Sequence, residues 1–146
     1  MSVAASSVAR GSRAEVPRRA ARTAAVTPRR GEWKGQTIQG RLILFDVKRS
    51  GAQQIVDQLN TDVRQDCSDG THPHTLLIDL SATIGKGNFF ARKRFKTGEY
   101  WAKGKFSNST HVGGALRSSY HDVLHPGVSC DSAIVHWSAK LRVPTQ

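Results

Sequence analysis

The stretch Ser132-Ala-Ile-Val-His-Trp-Ser-Ala-Lys-Leu-Arg-Val143 alternates almost without fault. Ala133, Val135, Trp137, Ala139, Leu141 and Val143 fall on one side. Ser132, His136, Ser138, Lys140 and Arg142 fall on the other, with Ile134 the exception. A period of two marks a strand with one face in a core and one face in water. Leu76–Ile84 repeats the pattern, with Leu76, Ile78, Leu80, Ala82 and Ile84 inward and Asp79, Ser81 and Thr83 outward. Gln36–Val47 has apolar residues at Ile38, Leu42 and Leu44 on one face and at Ile43, Phe45 and Val47 on the other. It predicts a strand buried on both sides.

Two further runs, Asn88–Lys96 and Glu99–Phe106, flank Thr97-Gly98 and predict a hairpin. Ala52–Gln65 departs from the two-residue period. Its apolar residues Ile55, Val56, Leu59 and Val63 recur at helical spacing with Asp57, Asp62 and Arg64 outward, which predicts one α-helix. Cys67–His74 and Gly85–Gly87 are turns, Ser107–Gly114 is a loop, and Ala115–Leu124 fits a short strand and a turn. Trp33 is the first anchor of the folded part. Five or six strands with one early helix predict an all-β sandwich or barrel over residues 31–146.

Charge is distributed unevenly. The chain has 146 residues and a formal net charge of +11. Residues 1–30 hold Arg10, Arg13, Arg18, Arg19, Arg22, Arg29 and Arg30 against Glu15, with almost no large apolar side chain. Such a segment cannot bury enough surface to offset its ordering entropy, so it reads as a disordered basic arm. The window Ile84–Phe106 adds Lys86, Arg92, Lys93, Arg94, Lys96, Lys103 and Lys105 against Glu99. Eight basic and nine acidic residues elsewhere nearly cancel. These fourteen cations are the candidate contacts to a polyanion, nucleic acid and RNA first. Arginine suits that role because its planar fork bonds phosphate oxygens in pairs. In the second window Phe89, Phe90, Phe95, Tyr100, Trp101 and Phe106 interleave with the cations, as in a surface that holds a backbone and stacks bases. The plainer alternative makes those aromatics core residues.

Other chemistry is weakly signalled. Cys67 and Cys130 lie far apart without a C-x-x-C spacing, which predicts reduced thiols in an intracellular setting. The pairs His72/His74 and His121/His125 match no zinc spacing, and no G-x-S-x-G or complete P-loop occurs, so neither a metal, a cofactor nor catalysis is expected. The longest apolar run, Leu42–Phe45, is too short to span a membrane, so no membrane partner is expected. The N-terminus lacks the apolar region of a secretory signal, but its composition also fits an organellar transit peptide.

The basic arm, the opening strand Gly40–Val47 with a helix after it, and the closing strand Ala133–Val143 with its terminal proline together resemble the small coat proteins of plant-type RNA viruses. That resemblance implies a jelly-roll-like sandwich, full or reduced, and an arm that faces a packaged genome. It also implies self-association into a closed homo-oligomeric shell, and residence in a virion and in the host cytoplasm or nucleus. A non-capsid nucleic-acid-binding protein, such as a viral movement protein or silencing suppressor, is the second reading. An organellar RNA-binding protein with a cleaved arm is the third.

Overall fold

The computed structural model describes residues 25–125 and 127–145. Its ten strands are β1 (Gly31–Thr37), β2 (Leu42–Ser50), β3 (Gln53–Arg64), β4 (Asp66–Cys67), β5 (His74–Thr83), β6 (Asn88–Phe95), β7 (Gly98–Asn108), β8 (His111–His121), β9 (Ser129–Asp131) and β10 (Val135–Pro144). All pairings are antiparallel, and long strands pair with their neighbours in sequence: β1 with β2, β2 with β3, β3 with β5, β6 with β7, β7 with β8 and β8 with β10. β10 returns to pair with β1, and the result is one antiparallel sheet curled into a half-barrel. A jelly roll places its strands in two facing sheets joined by Greek-key crossings. This ladder is instead a single meander.

Rings fill the inside of the curl. Trp33 of β1 stacks on Phe45 of β2 at 5.8 Å and meets Phe106 of β7 edge-on at 5.1 Å. Trp137 of β10 meets Phe45 at 6.0 Å and Phe89 of β6 at 6.1 Å. Two glycines make room for them. A Cβ on Gly104 would lie 2.5 Å from the Phe89 ring, and one on Gly114 would lie 2.8 Å from the Trp137 ring. Below the rings, Val56, Leu59, Val63, Leu77, Leu80 and Leu116 complete a fully buried core.

The expected α-helix over Ala52–Gln65 is strand β3, and the described residues contain no helix. The reason is local. Register shifts interrupt the β3–β5 ladder between Val56 and Leu59 and again between Leu59 and Thr61. The first bulge adds a residue to β3 and the second adds one to β5, so the inward set of β3 runs Val56, Leu59, Thr61, Val63 and imitates helical spacing. The bulge holds two non-glycine residues in the left-handed region, Gln58 (φ 52°) and Asp79 (φ 55°). Side chains cap the backbone there: Asp79 N–H donates to Asn60 Oδ1 at 2.9 Å, and the Ser81 hydroxyl donates to Asp57 at 2.7 Å. The same shift breaks the alternation expected along Leu76–Ile84. Leu77 and Leu80 are buried, whereas Leu76 and Ile78 are exposed.

Other expectations change with the ladder. Gln36–Val47 is not one strand but the turn of a hairpin, with Gly40 at φ 78° between β1 and β2. Ile43, Phe45 and Val47 face the core, while Leu42 and Leu44 face outward, so only one side is buried. The loop expected at Ser107–Gly114 is mostly strand, turning at Ser109-Thr110 between β7 and β8. The Asn88–Phe106 hairpin is present as expected. The closing strand faces as expected at Val135, Trp137 and Ala139 but begins after Ala133, which has φ 56° and is exposed.

A strap crosses one end of the curl. β4 continues directly from β3 and pairs with β9 beside β8, where Cys67 and Cys130 face each other in register and form a disulfide. The expected free thiols are therefore corrected. The sequence separation of 63 concealed a contact that only the pairing of two short strands creates. Gln65, fully buried beside the strap, ties three strands together. Its amide donates to the Ser118 carbonyl and hydroxyl of β8, both at 3.0 Å, and its oxygen accepts from Thr75 of β5 at 2.6 Å.

Closing a loop of this length by a disulfide contributes about 2–4 kcal/mol. Reducing the bond, or replacing Cys130→Ser, is expected to lower Tm by roughly 10 °C, read by thermal melts with and without reductant. Coincident melts would show that the strap holds without it.

Candidate nucleic-acid interface

The β6–β7 hairpin sorts its residues by face. Phe89 and Ala91 of β6 and Tyr100, Ala102 and Phe106 of β7 point into the core. Phe90, Arg92 and Arg94 occupy the outer face of β6, opposite Lys103, Trp101 and Glu99 of β7. The hairpin thus divides its aromatics between the core and the surface. Phe90 is 48% exposed and stacks on Trp101 across the strands at 5.8 Å with an interplanar angle of 23°. The Arg92 guanidinium lies 5.0 Å from the centre of the Phe90 ring, and Lys103 Nζ lies 5.8 Å from Trp101. Such contacts hold a cation near an aromatic face while leaving its outer side in water.

Carboxylates are scarce here. Arg92 and Arg94 share Glu99, at 3.5 and 3.4 Å. Lys103 and Lys105 make no ion pair among the described residues. Elsewhere four cations are answered individually, Arg41 by Asp62, Lys48 by Asp57, Arg117 by Asp131 and Arg64 by Asp66, whereas Lys34, Arg49, Lys140 and Arg142 make no ion pair among the described residues. Those partnerships hold three carboxyls below the usual range. Lys48 and Ser81 hold down Asp57, Arg41 holds down Asp62, and Arg117 holds down Asp131. Asp46 moves the other way, raised by burial and by Glu32.

Not every candidate cation joins this face. Lys93 turns toward β5, where its ammonium reaches the Ile78 carbonyl at 3.5 Å. Lys96 sits in the hairpin turn and Lys86 in the turn before β6. Arg10, Arg13, Arg18, Arg19 and Arg22 lie outside the described residues. The end of the arm lies against the domain. Pro28 is buried and its carbonyl accepts from Gln54, Arg29 N–H donates to Ser109, and the Arg30 carbonyl accepts from Thr145. Arg30, Lys86 and Arg49 line one hollow with Val26 and Pro28. Arg49 drew no attention in the sequence because it stands alone there.

Asn88 and Lys105 are paired beside the Lys86 turn, so the basic track runs from the root of the arm down the hairpin. Eight strand residues give it a length of roughly 25 Å.

No protein-family model, curated protein or solved structure matches the chain. The interface therefore rests on its own geometry. That geometry also includes Gly113, taken for loop in the sequence, and Ala115, which sit in β8 beside Lys105 and Lys103 of β7, with Ser138 and His136 of β10 on their other side. Only a run of small residues in a neutral segment marked them, and such runs fit a turn equally well. Among the other histidines, His72 meets Asp66, His74 meets Asp62 and His125 meets Asp122, one carboxylate each.

Carboxyls held low contribute stability that is complete above about pH 4 and is lost as pH falls through their depressed values. Asp57, Asp62 and Asp131 outnumber Asp46, so the urea midpoint is expected to fall on the acid side of about pH 4. The fall is modest, because these pairs are largely solvated, and it is smaller in Asp62→Asn. A midpoint unchanged at acid pH would refute the assignment.

Proposed function

We propose that this protein binds nucleic acid, RNA in the first instance, by holding the phosphate backbone with the arginines of residues 1–30 and the outer face of the β6–β7 hairpin. One observation carries the reading. Lys105, Lys103, Arg92 and Arg94 share a single exposed face with only Glu99 among them, whereas Arg41, Lys48, Arg64 and Arg117 each meet a carboxylate of their own. Each phosphate neutralised there releases a counterion, so the binding is strong at low salt and indifferent to base sequence. The role is one of binding and structure rather than catalysis, and it asks for no cofactor or metal.

A packaging role, in which many copies associate around RNA as in a capsid, adds self-association. Its support is the seam between β5 and β6, each of which lacks a ladder partner on that side among the described residues. Leu76, Ile78 and Phe95 are exposed there, and unpaired strand edges with apolar side chains favour association with further copies. The jelly-roll form of that role gains no support from the single meander. The disulfide fits a virion better than a reducing cytoplasm. A non-packaging role in the host cell, or an organellar RNA-binding protein whose arm is removed, uses the same basic face.

RNA affinity of the full chain is expected to fall steeply with salt. Removing residues 1–24 takes away five arginines and should reduce the slope of log K against log salt by about 3.5 on single-stranded RNA. An unchanged slope would remove the arm from the interface. Absence of RNA binding at low salt would end the proposal. Uniform particles by negative stain, formed only with RNA, would select packaging over simple binding.

A further inference from the structure

We infer that the outer face of β6, β7, β8 and β10 is a platform for unpaired bases, so that the protein takes single-stranded nucleic acid in preference to duplex. The inference rests on the nucleic-acid reading above and deepens it.

Three features of the face point this way. The first is the Phe90–Trp101 stack, which lies on the outer face with Phe90 exposed and Trp101 half-buried, while six other rings are consumed by the core. A base has a π-face of similar size, and stacking on such side chains is the usual means of holding single strands without regard to sequence. The second is the pair of cations beside those rings, Arg92 and Lys103, placed to meet the phosphates that accompany a stacked base. Cross-strand aromatic packing alone would account for the stack, but not for the third feature.

That feature is a trough beside the stack, about 500 Å³ in volume. Its floor is Gly113 and Ala115. Phe90, Lys103 and Lys105 form one wall and His136 the other. Gly113 is not required by the fold, since a Cβ there would meet nothing closer than the Trp137 carbonyl oxygen at 3.9 Å. Gly114 beside it is required, by the Trp137 ring. The open floor at position 113 therefore has no explanation inside the molecule. Its volume lies within the range of small-ligand sites, and its walls offer cations and one aromatic ring.

Duplex fits this face poorly. Paired bases present only their edges, and the major groove, about 12 Å wide, does not admit four adjacent strands that span roughly 14 Å between their axes. A duplex would touch the lysines and arginines with its phosphates and leave the rings and the trough unused.

The test compares the full chain binding an unstructured RNA of about 16 nucleotides, the upper end of single-strand site sizes, with a duplex of the same length and at the same salt. Single strand is expected to bind at least about tenfold more tightly and to quench tryptophan fluorescence through Trp101. Phe90→Ala should weaken single-strand binding about tenfold and leave duplex binding unchanged. Gly113→Leu should fill the trough with the same selective loss and an unaltered Tm. Equal affinity for the two forms, or single-strand affinity retained in both variants, would overturn the inference while leaving backbone binding intact. Failure of the unmodified chain to bind either form would overturn both readings.

Discussion

Rings from β1, β2, β6, β7 and β10 meet at the centre of the molecule, and the curvature of the sheet depends on their contact. Backbone hydrogen bonds alone do not close the curl, because β5 and β6 have no ladder between them. Trp33 and Trp137 on one wall reach Phe106 and Phe89 on the other, joining parts of the sheet that no ladder joins directly. Each aromatic pair contributes about 0.5–1.5 kcal/mol beyond the area it buries. At the seam the Tyr100 hydroxyl takes the place of a strand, accepting from the Ile78 N–H at 3.4 Å and donating to its carbonyl at 3.2 Å. Shape dominates over polar pairing in this cluster, for Trp137 Nε1 is buried without a partner among the described residues.

Filling the inside with rings determines what lies outside. Alternation obliges the neighbours of Phe89, Ala91, Tyr100 and Ala102 to point into water, and those neighbours are Phe90, Arg92, Trp101 and Lys103. The core and the basic platform are therefore two faces of the same hairpin. Gly113 and Gly114 divide in the same way, the second yielding to Trp137 within and the first leaving a floor without. The opposite wall resolves its charges differently. Bulges in β3 and β5 bring Asp57, Ser81, Asn60 and Asp79 together, with Lys48 paired to Asp57, so positive charge there is cancelled locally. The contrast between a neutralised wall and an under-neutralised hairpin produces the polarity of the molecule.

Elements were legible in the chain wherever a ladder ran without interruption. The Asn88–Phe106 hairpin kept a strict period of two over both strands, so its existence, its faces and its cations could all be read directly. Much of the closing strand was equally plain. The reading failed at β3, where one inserted residue set Val56 and Leu59 three apart, a spacing that with Val63 a helix also satisfies. The β-branched residues Ile55, Val56, Thr61 and Val63 favoured a strand, but periodicity outweighed them. It failed again at the start of β8, whose Gly-Gly pair has the composition of a loop but lies in a strand laddered to β7 and β10.

The amino-acid sequence by itself determined the β-rich class, the hairpin with its cations, and the concentration of positive charge, since alternation and composition are local properties. Only the tertiary structure decided the single meander, the Cys67–Cys130 strap, the placement of Arg49 and Lys86 at the root of the arm, and the open trough beside Phe90. Each of these brings together residues distant along the chain, and their meeting depends on how far the sheet curls. That curl is set by five side chains packing against one another, a property of volume in three dimensions that no one-dimensional pattern records.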